Sequence, residues 1–146
     1  MQPKTTEYRA GGIVCRKNNN QIEYLFVTSN SNKERWIIPA GHIEHGETAI
    51  DAATREVLEE AGVTAEALLD LGSIKYDWYR NRQWIVIDTA LYLMRYIDTV
   101  TQNPEGRQVA FFSYEQVEQL NLWDETREII KQVNQRILEN KEQLQF

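Results

Sequence analysis

The segment Thr48 to Gly62, TAIDAATREVLEEAG, constrains the fold more than any other stretch, because both of its ends carry helix-end signals. Thr48 with Asp51 three residues on makes a capping-box-like start, with Asp where Glu or Gln is usual, and Gly62 stands where a left-handed C-cap belongs. Ile50, Ala53, Val57 and Ala61 recur at helical spacing and predict a buried stripe. At about 100° per residue, Glu56, Glu59 and Glu60 gather on an arc of roughly 100° that is expected to face outward as a group. Carboxylates at that spacing repel by a few tenths of a kcal/mol per pair, roughly. Such a helix needs a sheet to cover its stripe and a reason to keep its acids.

The flanking sequence supplies the sheet. TTEYRAGGIVCRK and QIEYLFVTS are rich in β-branched and aromatic residues, and the turn-prone Asn18 to Asn20 between them predicts a hairpin. In RWIIPAG, Pro39 ends a short strand at Ile38 and Gly41 is expected to permit an unusual backbone turn. AEALLDLGSIKYDWY and QWIVIDTALYLMRYI read as two longer strands joined by a turn at Arg80 to Arg82. Gly106 to Ser113 adds a strand. Ser113 with Gln116 then opens a short helix, SYEQVEQL, and a last helix starts at Asp124 with Ile129, Ile130, Val133 and Ile137 facing the core. The order β, β, α, β, β, α predicts an α/β fold, a mixed sheet covered by helices on both faces.

The 146 residues suit one domain, spanning residues 1–146. No apolar run approaches the roughly 20 residues that a bilayer crossing requires, so no membrane partner is expected. Cys15, the only cysteine, cannot form an internal disulfide and reads as a core residue. A cytoplasmic location is the expectation. The formal net charge of -6 argues against a stable nucleic-acid partner, which would need a basic surface. An anionic small molecule is compatible with this charge if something local reverses the sign.

GHIEHGETAIDAATREVLEEAGV has Gly41, five residues, Glu47, seven residues, Arg55-Glu56, an apolar residue, one residue, Glu59-Glu60, one residue, Gly62 and apolar Val63. Seven fixed identities at those offsets have a chance probability of roughly one in 10⁸ per starting position. The chain resembles the Nudix hydrolase family, whose box these 23 residues match throughout. Trp36, Pro39 and the doublet Gly11-Gly12 also stand where related sequences often carry similar residues. The resemblance implies a Nudix α/β/α sandwich around a central mixed sheet. It implies water attack on a phosphorus of a nucleoside diphosphate linked to another moiety. Glu56, Glu59, Glu60 and the Gly41 carbonyl would be metal ligands, with Glu47 and Arg55 in support. Clustered carboxylates suit a hard cation such as Mg²⁺, with Mn²⁺ as a substitute, and the cation would answer both the repulsion and the sign problem. Dimers are frequent among such relatives, so a homodimer is open.

Arg55 is expected to make a bidentate pair with Glu47 that ties the loop to the helix. For the general base the candidates are Glu56 and Glu105, the latter in the loop NPEGRQ where many relatives carry an acid; a plain loop acid is the alternative. His42 and His45 are read as solvated loop histidines. Substrate choice falls outside the box. KYDWYRNR supplies Lys75, Tyr76, Tyr79, Arg80 and Arg82, rings and cations suited to stacking a base and holding phosphates, or else a hairpin tip with ordinary core aromatics.

In the family, hydrolases of dinucleoside polyphosphates carry a tyrosine some sixteen residues after the box, about where Tyr79 stands. The opening YRAGGIVCR and the run WIIPAGHIEHGE look most like the dinucleoside-polyphosphate and diphosphoinositol-polyphosphate branch, although Ala40 replaces its usual basic or glycine residue. Hydrolysis of a nucleoside or dinucleoside polyphosphate is the expectation. The alternatives are ADP-ribose, a nucleotide sugar, a diphosphoinositol polyphosphate, and a non-catalytic nucleotide sensor.

Overall fold

In the computed structural model, which describes residues 4–146, the strand-like segments join one seven-stranded mixed sheet. Residues 1–3 of the expected domain lie outside the described residues. β1 (Thr5–Asn18) and β2 (Gln21–Thr28) pair antiparallel. Their turn is made by Asn19 and Asn20 at φ 49° and 66°, the left-handed pair that matches sheet twist and that asparagine tolerates. Two short strands follow, β3 (Trp36–Ile37) against β2 and β4 (Ala40–His42) against β1.

α1 (Ala49–Ala61) is capped as the sequence predicts: the Thr48 side chain accepts from the Asp51 N–H, and Gly62 at φ 69° donates its N–H to the Leu58 carbonyl. The chain then enters β5 (Val63–Arg80) directly and returns through β6 (Gln83–Thr99). The turn is shifted from the expected Arg80 to Arg82. Arg80 stays in the ladder opposite Gln83, and Asn81 and Arg82 take left-handed φ of 52° and 63°. β6 runs parallel to β1, which makes the sheet mixed. β7 (Val109–Ser113) pairs with β2. α2 is shorter than expected, Tyr114–Val117, although its Ser113–Gln116 capping box is complete. α3 (Asp124–Glu139) closes the fold.

Alternation along the strands divides the core in two. Ala10 and Val14 of β1 pack with Leu25, Val27 and Met94 beneath Ala53, Val57 and Ala61 of α1. Their neighbours Ile13 and Cys15 pack with Tyr24, Phe26 and Leu93 beneath Ile130, Val133 and Ile137 of α3, with Ile129 half-buried beside them. This is the expected α/β/α sandwich, and Cys15 is the core residue anticipated. Among the described residues no helix is long and apolar enough to cross a membrane.

Two expectations for α1 need correction. Ile50 stands on the predicted side but in the first turn, where it is 46% exposed, while Ala52 is fully buried. The three acids do not face outward together, because Glu60 is 5% exposed. Helical geometry accounts for this: Glu60 lies only about 20° around the axis from Ala53, at the border of the apolar stripe.

Candidate active site

β4 crosses beside α1, and this contact organises the acids. Gly41 pairs with Ala10 inside the sheet and has no left-handed backbone, so the turn expected there is absent. What requires glycine is proximity: a Cβ at Gly41 would stand 2.3 Å from Cδ of Glu56. The Glu56 carboxylate therefore lies flat on the β4 backbone.

Arg55 holds the outer part of the cluster. Its Nε and Nη2 donate to the two oxygens of Glu47 at 2.7 and 2.9 Å, the expected bidentate pair. Nη1 donates to Glu56 at 2.8 Å and to Glu59 at 3.0 Å, and Nη2 also reaches the His42 carbonyl at 2.9 Å. Hydrogen bonds from Arg55 and from the Glu44 N–H hold the Glu47 carboxyl below its usual range, and the Glu47 partnership raises Arg55 further. One guanidinium thus fixes the loop after β4, the helix and two of the box acids.

Glu60 is held separately. Its Oε2 accepts from the Ala40 N–H at 2.7 Å, and its Oε1 lies 3.1 Å from Nη2 of Arg107. Burial pushes its carboxyl up to about 7, partly offset by Arg107. Arg107 is 9% exposed and also donates Nη1 to the Thr28 carbonyl at 3.1 Å. The sequence reading missed this arginine. It follows Glu105 by two residues in the connection between the turn Pro104–Gly106 and β7, and no local pattern distinguishes it from a surface cation. Glu105 itself is half-exposed on the turn Pro104–Gly106, with Oε1 3.8 Å from Nε of Arg107.

The residues beyond the box are brought together less completely. Side chains of β5 alternate between the faces of the sheet, so Tyr76 and Arg80 share one face and Lys75 and Tyr79 the other. Tyr79 packs on Trp84 at a ring distance of 5.2 Å, and Tyr76 on Trp78 at 6.3 Å. All four rings are exposed, which excludes the core-aromatic alternative. Lys75 stands 3.8 Å from Asp88. Arg80 pairs with Glu7, whose other oxygen is 3.1 Å from Nε2 of His42, so Arg80 is joined to the loop that Arg55 grips. No hydrogen bond or ion pair joins Lys75, Tyr76, Tyr79 or Arg82 to the box acids among the described residues. His45 is exposed, as expected; His42 is exposed but paired.

Among the described residues no three acidic or histidine side chains form a ready-made cation cage, and Nη1 of Arg55 bridges Glu56 and Glu59. The donor set still fits a hard cation. Every candidate ligand is an oxygen, and the side chain missing from Gly41 leaves room for the Glu56 carboxylate against the β4 backbone.

A model of the NUDIX domain matches residues 6–133. The chain belongs to the Nudix family. Members of this family generally use divalent cations. Diphosphoinositol polyphosphate phosphohydrolase 3-beta of Bos taurus is 34% identical over 94 residues, covering 64% of this chain and 52% of that protein. Bis(5'-nucleosyl)-tetraphosphatase [asymmetrical] of Caenorhabditis elegans is 39% identical over 59 residues, covering 40% and 43%. The crystal structure of a C. elegans Ap4A hydrolase binary complex superposes with a TM-score of 0.69 at 22% identity, covering 90% of this chain and 98% of that one, which establishes the Nudix fold. The matched segments span between 21% and 52% of the length of the curated relatives.

Proposed function

We propose that this Nudix chain is a divalent-metal-dependent pyrophosphohydrolase that splits a phosphoanhydride bond in a nucleoside diphosphate linked to another moiety, with a nucleoside or dinucleoside polyphosphate as substrate. The observation that carries the reading is the close approach of Gly41 to Glu56, with Arg55 clamping Glu47, Glu56 and Glu59 around it. The intact set of box carboxylates, Glu56, Glu59 and Glu60, favours the hydrolase over a sensor that only binds. Glu56, Glu59, Glu60 and the Gly41 carbonyl would hold Mg²⁺, or Mn²⁺ in its place. When bound, the cation supplies charge neutralisation at the phosphate oxygens and makes water a better nucleophile.

The chain's own residues do the rest. Arg55 and Glu47 fix the loop after β4 relative to α1, which sets where a reacting phosphate can sit. Glu56 and Glu105 remain the two candidates for accepting the proton of the attacking water. Tyr79 with Trp84 offers an exposed stacking surface for a base. Lys75 shares the Tyr79 face, Tyr76 and Arg80 offer the alternative contacts on the opposite face, and Arg82 lies in the turn between the two strands. A cytoplasmic setting is the localisation proposed, and the single buried Cys15 is compatible with it.

A second reading, hydrolysis of a diphosphoinositol polyphosphate, is favoured by the 34% and 31% identity to relatives named for that activity. The test is incubation with Mg²⁺ or Mn²⁺ and a panel of nucleoside triphosphates, dinucleoside polyphosphates, nucleotide sugars, ADP-ribose and diphosphoinositol phosphates, with products resolved by chromatography. Release of a mononucleotide from a dinucleoside polyphosphate supports the first reading, and loss of phosphate from the inositol compounds alone supports the second. No turnover of any compound would leave a sensor.

A further inference from the structure

Among the described residues, the buried charged side chains are Glu60 and Arg107. A guanidinium is normally kept out of water only when its donors are matched. Two of the Arg107 nitrogens are matched, Nη2 by Glu60 at 3.1 Å and Nη1 by the Thr28 carbonyl at 3.1 Å. Its Nε is buried and donates to nothing. Glu105 Oε1 stands 3.8 Å from that nitrogen, about 0.6 Å beyond the usual hydrogen-bond range.

An ion pair kept for stability alone explains this poorly. Buried pairs contribute little net stability, and one with an unmatched donor contributes less. The unmatched donor does have a carboxylate near it, Glu105 Oε1 at 3.8 Å on the preceding turn, while Nη2 stands 3.1 Å from a carboxylate of α1.

The geometry points to Arg107 as a positioning residue, which fixes Glu60 against Ala40 and uses its remaining Nε to draw Glu105 to the same edge of the site. Two acids from distant parts of the chain then act as one unit through a shared guanidinium. Without that counter-charge, Glu60 is held to β4 by the Ala40 N–H alone and Glu105 has no cation beside it. The role deepens the hydrolase reading and rests on it for its kinetic arm.

The test uses the full chain and the variants Arg107→Lys, Arg107→Gln, Glu105→Gln and the double variant Arg107→Lys/Glu105→Gln. Lysine keeps a point charge for Glu60 but cannot fork to Glu105. Mn²⁺ affinity, read by electron paramagnetic resonance without any substrate, is expected to weaken about tenfold in Arg107→Gln and less in Arg107→Lys. On whichever substrate the panel identifies, Arg107→Lys and Glu105→Gln should lower kcat by similar factors with KM unchanged. The double variant should be no worse than Glu105→Gln alone, because the two residues act together.

A purely structural pair would instead lower Tm and give losses that multiply in the double variant. Multiplying losses, Mn²⁺ affinity equal to the parent in the folded Arg107 variants, or no Mn²⁺ binding by the parent overturns the proposal. If Arg107→Gln does not fold, Arg107→Lys carries both measurements. If the parent turns over no substrate, the hydrolase reading fails and the Mn²⁺ measurement still decides the role of Arg107.

Discussion

Gly41 and Glu56 are packed so closely that no side chain fits between them: a Cβ on Gly41 would come within 2.3 Å of the Glu56 carboxylate. Gly41→Ala must therefore displace Glu56, and displacing a reacting-site group by about an ångström costs roughly 100-fold in rate. Overpacking should also lower stability by about 1–3 kcal/mol. Kinetics and urea unfolding measure the two separately. Turnover within twofold of the parent would mean that Glu56 does not act from this position.

Arg55→Lys keeps the charge and loses the fork. Lysine cannot reach Glu47, Glu56, Glu59 and the His42 carbonyl together, so kcat is expected to fall about 10- to 100-fold. Adding Glu47→Gln should cost little more, since both changes open the same clamp. A double variant whose loss equals the product of the single losses would show that the two residues act independently.

Glu59 is half-exposed, with 51% of its side chain open to solvent. Glu59→Gln should leave unfolding within about 0.5 kcal/mol of the parent, as for most surface changes. The metal-dependent rate should fall about 100-fold, the equivalent of some 2–3 kcal/mol of lost transition-state stabilisation. Full activity would remove Glu59 from the ligand set.

Glu60 gives a pH signature. Its carboxyl is raised from 4.5 to about 7, chiefly by burial, with Glu56 and Glu105 pushing the same way and Arg107 and the Ala40 N–H opposing. Between those values the folded chain keeps a proton that the unfolded chain has released. The stability this group contributes is therefore complete below about pH 4.5 and lost as pH rises through 7. The shift corresponds to about 3 kcal/mol. In chelator-treated protein, unfolding measured from about pH 5 to 8 should show a decline that Glu60→Gln removes. Parallel profiles for the two proteins would contradict the shift.

Tyr76 and Tyr79 lie on opposite faces of β5, so one flat ligand can meet only one of them. Tyr79 has Trp84 beside it at 5.2 Å. Tyr79→Ala and Trp84→Ala are each expected to raise KM about tenfold with kcat little changed, within the range for a stacked base. An increase confined to Tyr76→Ala would move the base to the other face.

Much of this arrangement was legible in the sequence. The caps at Thr48 and Gly62, the strand alternation and the Asn19–Asn20 turn are local signals, and each appears where local chemistry places it. The Glu47–Arg55 pair was legible because the family resemblance supplies the partners. Gly41 answers to crowding and not to φ freedom: φ freedom belongs to one residue, while crowding by Glu56 depends on a helix fifteen positions away. Burial of Glu60 follows from its place at the border of the apolar stripe. Its partner Arg107 comes from a loop 47 residues later, and a long-range pair of this kind leaves no periodic trace.

The ion pairs of α1 also bear on the order in which the protein is assembled. Glu56 has Arg55 as a counter-charge and Glu60 has Arg107, both supplied by the chain itself. The helix and its sheet can therefore reach their final arrangement in a metal-poor medium. Under the hydrolase proposal, a divalent ion would then load onto, and leave, a scaffold that is already folded.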